Sequence, residues 1–268
     1  RTYWRTDSGS MKCPGATRTV LLAILILFSA AVAASWNNPY PAADAEKNIL
    51  YSAFRERPKT FDPARAYSSN EYQFIAQIYE PPFQYHYLKR PYTLVPLTAT
   101  GVPTPVFFDK QGRRLPHNVP VARIAYSVYE IHIRPGIYFQ PHPAFARDAS
   151  GRLLYHALGP GDLTEINAIG DFAQTGTREV TAADYIYQIK RLAHPKLHSP
   201  IQSLMNDYIV GIREYADTLK KAYDAIAGGR EEGVYLDLAQ YPLAGVEEVD
   251  RYTYRVKING KYPQLLYW

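Results

Sequence analysis

Apolar and polar positions follow two different periods along this chain, and the change from one to the other marks its elements. Between residues 125 and 133 the apolar Tyr129, Ile131 and Ile133 recur at every second position. That spacing predicts a strand with one buried face. Residues 246–249 and 252–258 flank Asp250-Arg251 with β-prone residues and predict a hairpin. Residues 48–54 are apolar on both faces and read as a first strand buried inside a sheet. Residues 83–87 and 94–97 are shorter extended candidates.

Helical spacing takes over elsewhere. Ser68 with Glu71 three positions on makes a capping box, and Tyr72, Ile75, Ile78 and Tyr79 then supply an apolar stripe that Pro81-Pro82 ends. Thr181 and Asp184 repeat the device, with Val180 and Tyr185 placed as a hydrophobic staple and Tyr185, Ile186, Ile189 and Leu192 on one face. Ser199-Pro200 predicts another helix with proline at its first position, carrying Ile201, Leu204, Met205 and Tyr208. Residues 212–227 form the longest candidate, with Tyr215, Leu219, Ala222, Tyr223 and Ile226 turned inward and Gly228-Gly229 as the stop. The Pro- and Gly-rich stretch 101–120 reads as a loop excursion, and 140–177, where no period persists, as an extended surface insertion. Strands interleaved with helices place the chain in the α/β class.

The first residues have a different character. Met11, the charges of Lys12 and Arg18, an apolar run over 20–28 and the small residues of 29–34 compose a secretory signal peptide, with cleavage expected near Ala33 or Ala34. Residues 1–10 are read as an upstream extension, 11–34 as the signal, and 35–268 as the N-terminal part of a longer binding domain. The apolar run is shorter than the roughly 20 residues a membrane span requires. The single cysteine, Cys13, lies inside the signal, so the exported chain has no thiol for disulfides or metal. Localisation is expected to be periplasmic.

Composition then narrows the chemistry. The net charge of +5 is largely a property of residues 1–34, and the remaining 26 basic and 24 acidic residues leave +2. No clustered basic face for nucleic acid follows from that balance. Twenty-four tyrosines offer rigid surface with a polar tip, suited to a binding cleft as well as to half-exposed strands. There is no phosphate-binding glycine loop, no nucleophile elbow and no zinc-binding helix motif. His194 and His198 are separated by the helix-breaking Pro195, His142 stands between prolines, and His132 alternates with Glu130 on a polar strand face. The carboxylates Glu231-Glu232 and Glu247-Glu248 sit beside turns, and Asp171 and Glu179 lie in or beside the insertion. No cofactor, metal or catalytic residue is expected, and the chain reads as a binder and not an enzyme.

The order of segments carries more information than any one of them. Phe61-Asp62-Pro63 after the first apolar run, Ile78-Tyr79-Glu80, Leu94-Val95-Pro96-Leu97, the run Tyr129-Glu130-Ile131-His132-Ile133-Arg134-Pro135-Gly136, Val180-Thr181-Ala182-Ala183-Asp184-Tyr185 with Lys190-Arg191-Leu192, and Val246 to Tyr254 followed by Pro263-Gln264-Leu265-Leu266 stand in sequence. This succession resembles the family-5 extracellular solute-binding proteins, the oligopeptide- and dipeptide-binding components of ABC importers. The resemblance implies a periplasmic-binding-protein-like fold of type II, with two α/β lobes closing on a cleft, of which this chain carries the first. It also implies a peptide or other small solute as ligand, a permease in the inner membrane as partner, and a monomer at full length. Two departures stand out. Phe139-Gln140-Pro141-His142-Pro143 replaces the family's turn before the second capping box and opens the insertion. The apolar run Leu265-Leu266-Tyr267-Trp268 reads as a helix start where the first lobe would continue.

Candidate ligand residues come from the strand-to-helix loop, where open α/β sheets commonly bind their ligands. They are Tyr67, Ser69 and Asn70, with Ser68 as the helix cap between them. A secreted hydrolase with its catalytic half in further sequence is the competing expectation.

Overall fold

The computed structural model describes residues 56–156, 158–229 and 234–267, together with 24, 40, 42–44, 46–49, 51 and 53. The chain divides into two compact units, Arg1–Phe54 and Arg55–Trp268. The signal-peptide reading of 11–34 lies outside the described residues apart from Ile24. Among the described residues, no helix is long and apolar enough to cross a membrane.

In the first unit the expected strand over 48–54 is corrected at every position that can be compared. Ile49, Tyr51 and Ala53 are exposed and belong to no strand. An extended backbone needs a pairing edge for its amides. Here the Ile49 amide donates to the Lys47 carbonyl two residues back, and the Tyr51 hydroxyl donates to Asp44 Oδ2 at 2.7 Å. The Tyr51 ring stacks on Tyr40 with centroids 3.4 Å apart. Local contacts take the place of a ladder.

The second unit is a mixed helix-and-sheet fold. Helix α1 (Ser69–Ile78) leads into the hairpin strands β1 (Phe83–Tyr85) and β2 (Leu94–Pro96). Strands β3 (Val106–Phe108), β4 (Arg114–Leu115) and β5 (Tyr126–His132) follow, then helices α2 (Ala182–Arg191), α3 (Gln202–Tyr208) and α4 (Ile212–Ala227), and finally β6 (Val246–Asp250) and β7 (Thr253–Asn259). β1 and β2 form a sheet of their own, and the larger sheet has the order β4-β3-β5-β7-β6 with antiparallel neighbours throughout.

The centre of that sheet follows directly from its pattern. β5 and β7 pair in a register that sets Ser127 opposite Ile258, Tyr129 opposite Val256 and Ile131 opposite Tyr254. All six are buried on one face. Ser127 tolerates burial because its hydroxyl donates to the Gly260 carbonyl. Against this face pack Ile186 of α2, Met205 of α3, and Ile212, Tyr215, Leu219 and Tyr223 of α4. Each fully buried large side chain contributes roughly 1.5–3 kcal/mol of transfer free energy. Helix α4 starts after Gly211 and stops at Gly228, both in the left-handed region with φ of 75° and 52°. Gly245 serves a different purpose: a Cβ there would stand 2.4 Å from the Val210 carbonyl oxygen. That close approach lets Lys257 of β7 donate to Gly245 while its own carbonyl accepts from Val210.

Further expectations change in detail. The stretch 101–120 holds the hairpin β3–β4, because Asp109 accepts from the amides of Gln111 and Arg113, both at 2.9 Å, and folds a tight turn with Gly112 at φ 75°. α3 begins at Gln202, not at Pro200, since the Gln202 amide closes a tight turn on the Ser199 carbonyl. Ile226 is exposed, while Ala227 takes the inward position. The insertion is a chain of turns and short 3-10 segments that returns on itself, with His142 and Gly176 exchanging backbone hydrogen bonds at 2.8 and 3.1 Å.

Candidate functional site

The loop before α1 is built by two carboxylates. Asp62 closes its own turn, accepting from the Ala64 amide at 2.9 Å, while the Arg65 and Ala66 amides donate to its carbonyl. Both of its carboxylate oxygens are then taken by Arg191, at 3.0 and 2.6 Å. A paired guanidinium–carboxylate contact of this kind fixes orientation as well as distance. Arg191 is the last residue of α2, where a cation also suits the helix dipole. The Asp-Pro turn is thereby fastened to a helix 129 residues away.

Glu71 does the second part. Its side chain is buried, and its oxygens accept from the amides of Lys59, Tyr67 and Ser68, each at 3.1 Å. Those bonds are strongest to the ionised carboxylate and favour it over the acid. The Ser68 side chain, first, and then the amides of Ser68 and Tyr67 hold its pKa at about 2 against an ordinary 4.5. The capping box read from sequence is present, but Glu71 also gathers the strand of chain at Lys59 into the same knot.

On this frame the three expected ligand residues take distinct places. Tyr67 is 78% exposed, its amide held by Glu71 and its ring in solvent. Ser69 is exposed at the first turn of α1. Asn70 is half-buried and its Nδ2 donates to the Glu56 carbonyl at 3.1 Å, so its amide ties down the preceding chain. They share one turn, yet the premise that placed them there does not hold. The larger sheet is antiparallel, so the crevice at the carboxyl ends of parallel strands has no counterpart beside it.

The same segment presents aromatic surface. Phe61 is exposed, with its ring tilted on Phe74 at 5.4 Å, and Tyr72 and Tyr79 are exposed along α1. The expectation that Tyr72, Ile78 and Tyr79 face a core is corrected, since of that stripe only Ile75 is buried, together with Glu71. The helix stands at the margin of the core with one narrow line of contact.

A concave site lies elsewhere. Asp207, Arg213, Glu214, Thr218 and Asn259 border an open cleft of about 710 Å³ where α3 passes into α4 and β7 ends. Arg213 reaches Asp207 at 3.4 Å and Asn259 donates to the Asp207 carbonyl at 3.3 Å. Its polar rim can hold a charged or hydrogen-bonding ligand. No sequence motif marks it, because its residues come from three separate stretches.

A third polar knot is structural. Glu179 accepts from the Gly136 amide at 2.7 Å, from Arg251 at 2.9 Å and from the Tyr252 hydroxyl at 2.9 Å. The Gly136 amide foremost, then the arginine and the tyrosine, lower its pKa. Among the described residues no group of three or more His, Cys, Asp or Glu side chains is gathered as a metal site. The His194 ring instead packs edge-on against Tyr223 at 5.9 Å, and burial followed by the charge of Arg191 lowers its pKa.

No family model matches the chain, and no curated protein does. A solved structure that describes the mode of peptide binding of the pheromone receptor PrgZ superposes on 77% of this chain, with a TM-score of 0.41 and 16% identity. The superposed part amounts to 26% of that receptor's chain. The chain thus spans about a quarter of its length.

Proposed function

We propose that this chain is the first part of an exported, two-lobed solute-binding protein of type II architecture. It captures a peptide or similar small solute in the periplasm and delivers it, chemically unchanged, to the permease of an ABC importer. The observation that supports this reading is where the resembling segments meet. The Asp-Pro turn is joined to α2 through Asp62 and Arg191. Of the two hairpin segments of the resemblance, the first lies in β5 and the second forms β6 and enters β7, where Thr253 and Tyr254 pair with His132 and Ile131, and α2 packs on the same core. The insertion at 140–177, which departs from the family pattern, closes on itself through His142 and Gly176.

The ligand surface in this reading is the exposed aromatic margin around Tyr67, with Ser69 and Asn70 beside it. Extended peptides are held by backbone hydrogen bonds and tolerant side-chain contacts, which require no catalytic group. The test is calorimetry of the protein against di- to pentapeptides, with mass spectrometry of the recovered ligand. Binding of intact peptide is expected, with Tyr67→Ala weakening it. Cleaved peptide would move the chain to the secreted hydrolases. Absence of any heat or thermal shift across the peptide set would overturn the proposal.

A further inference from the structure

The β1–β2 hairpin carries a surface that solute capture does not use. Its connection runs Tyr85-His86-Tyr87-Leu88-Lys89-Arg90-Pro91-Tyr92, and residues 83–96 contain no acidic side chain. Tyr87 is 87% exposed, Leu88 75% and Tyr92 66%. Lys89 and Arg90 between them are exposed too. Tyr85 supports the base, with Tyr92 and Tyr267 each 5.6 Å from its ring.

This exposure is built into the loop. His86 Nδ1 accepts from the amides of Leu88 and Lys89, both at 3.2 Å, and the His86 amide donates to the Thr93 carbonyl at 2.7 Å. Arg90 donates to the carbonyls of Tyr87 and Lys89 and lies 4.7 Å above the Tyr92 ring. The polar side chains thus close the turn and hold Tyr87 and Leu88 outward, where they do not fold back on the body.

We infer that this hairpin tip docks on an anionic lipid bilayer. The tip is a turn with exposed apolar and aromatic side chains and two exposed cations beside them. Tyrosine suits the headgroup layer, with an apolar ring and a polar end. Lysine and arginine lay their stems along apolar surface while their charges meet lipid phosphates. The charge complementarity selects anionic over zwitterionic lipid. This inference is independent of the solute-binding reading.

The experiment is flotation of the protein with vesicles of phosphatidylcholine alone or mixed with phosphatidylglycerol, at low and high salt. Variants Y87S/L88S and K89E leave the His86 and Arg90 contacts that close the turn in place, so circular dichroism should show unchanged folding. Binding to the anionic vesicles is expected, falling with salt as the charges are screened. Each basic residue near such a surface is worth about fivefold in partitioning, so K89E should lose at least about fivefold. Y87S/L88S should lose about tenfold at either salt concentration. Equal partitioning of wild type and both variants, or no preference for anionic lipid, would overturn the proposal. So would tighter binding to a single-stranded oligonucleotide than to vesicles, since stacking on tyrosines flanked by cations would then be the better account.

Discussion

Helices α1 and α4 carry the same kind of apolar stripe and meet opposite fates. On α4, Tyr215, Leu219 and Tyr223 are buried against the sheet, and Leu219 is wholly inaccessible. On α1, Tyr72 is 67% exposed, Ile78 and Tyr79 are exposed as well, and the buried positions are Ile75 and Glu71. Periodicity thus establishes that a stripe exists, not that anything covers it. What separates the two helices is their source of stability. α4 is held by packing, whereas α1 is held by a carboxylate and a turn fastened at a distance.

The largest expected effect tests the packed side. Leu219→Ala should cost about 2–5 kcal/mol, because it opens a cavity in a filled core. Tyr72→Ala on α1 should stay within about 0.5 kcal/mol. Urea denaturation of both variants checks this, and a comparable loss in the two would erase the contrast. Next in size is Gly245→Ala, whose Cβ would press on the Val210 carbonyl oxygen at 2.4 Å. Overpacking of this kind costs about 1–3 kcal/mol. The melting temperature should fall, and an unchanged value would show that the close approach between Gly245 and Val210 is relaxed in solution.

The polar side is probed by a double-mutant cycle on Asp62→Ala and Arg191→Ala. The pair is partly exposed, so a coupling of about 0.5–1 kcal/mol is expected. A coupling indistinguishable from zero would mean that the turn is not fastened to α2. The smallest effect concerns acid. Since the Glu71 carboxyl is held at about 2 instead of 4.5, its contribution is complete above pH 4.5 and is lost as the pH falls through 2. Wild type should therefore lose stability over that window more steeply than Glu71→Gln, which should already melt lower at neutral pH. Parallel pH profiles for the two proteins would remove Glu71 as the organiser of the loop.

Features that depend on near neighbours and features that depend on distant ones differ in how far the sequence shows them, and the reason is the range of the forces involved. The caps at Ser68 and Thr181, the glycine stop at Gly228, the alternation along β5 and the β6–β7 hairpin stand where the sequence places them. Each depends on residues a few positions apart. β3 was missed because its three residues acquire strand character only from pairing with β5 and β4. Asp62 was legible as a turn former but not as the partner of Arg191, and Asn70 was legible as a polar loop residue but not as the holder of Glu56.

By itself, then, the sequence determined the helix boundaries set by caps, the inward face of β5 and the irregular course of the insertion. Those features follow from backbone hydrogen bonding and side-chain spacing within one or two turns. Only the tertiary structure decided which apolar stripe is covered, which carboxylate gathers three amides, and that Tyr87 and Leu88 are held into solvent. Coverage and long-range pairing depend on what the rest of the fold places nearby, and a local pattern of hydrophobicity carries no record of that.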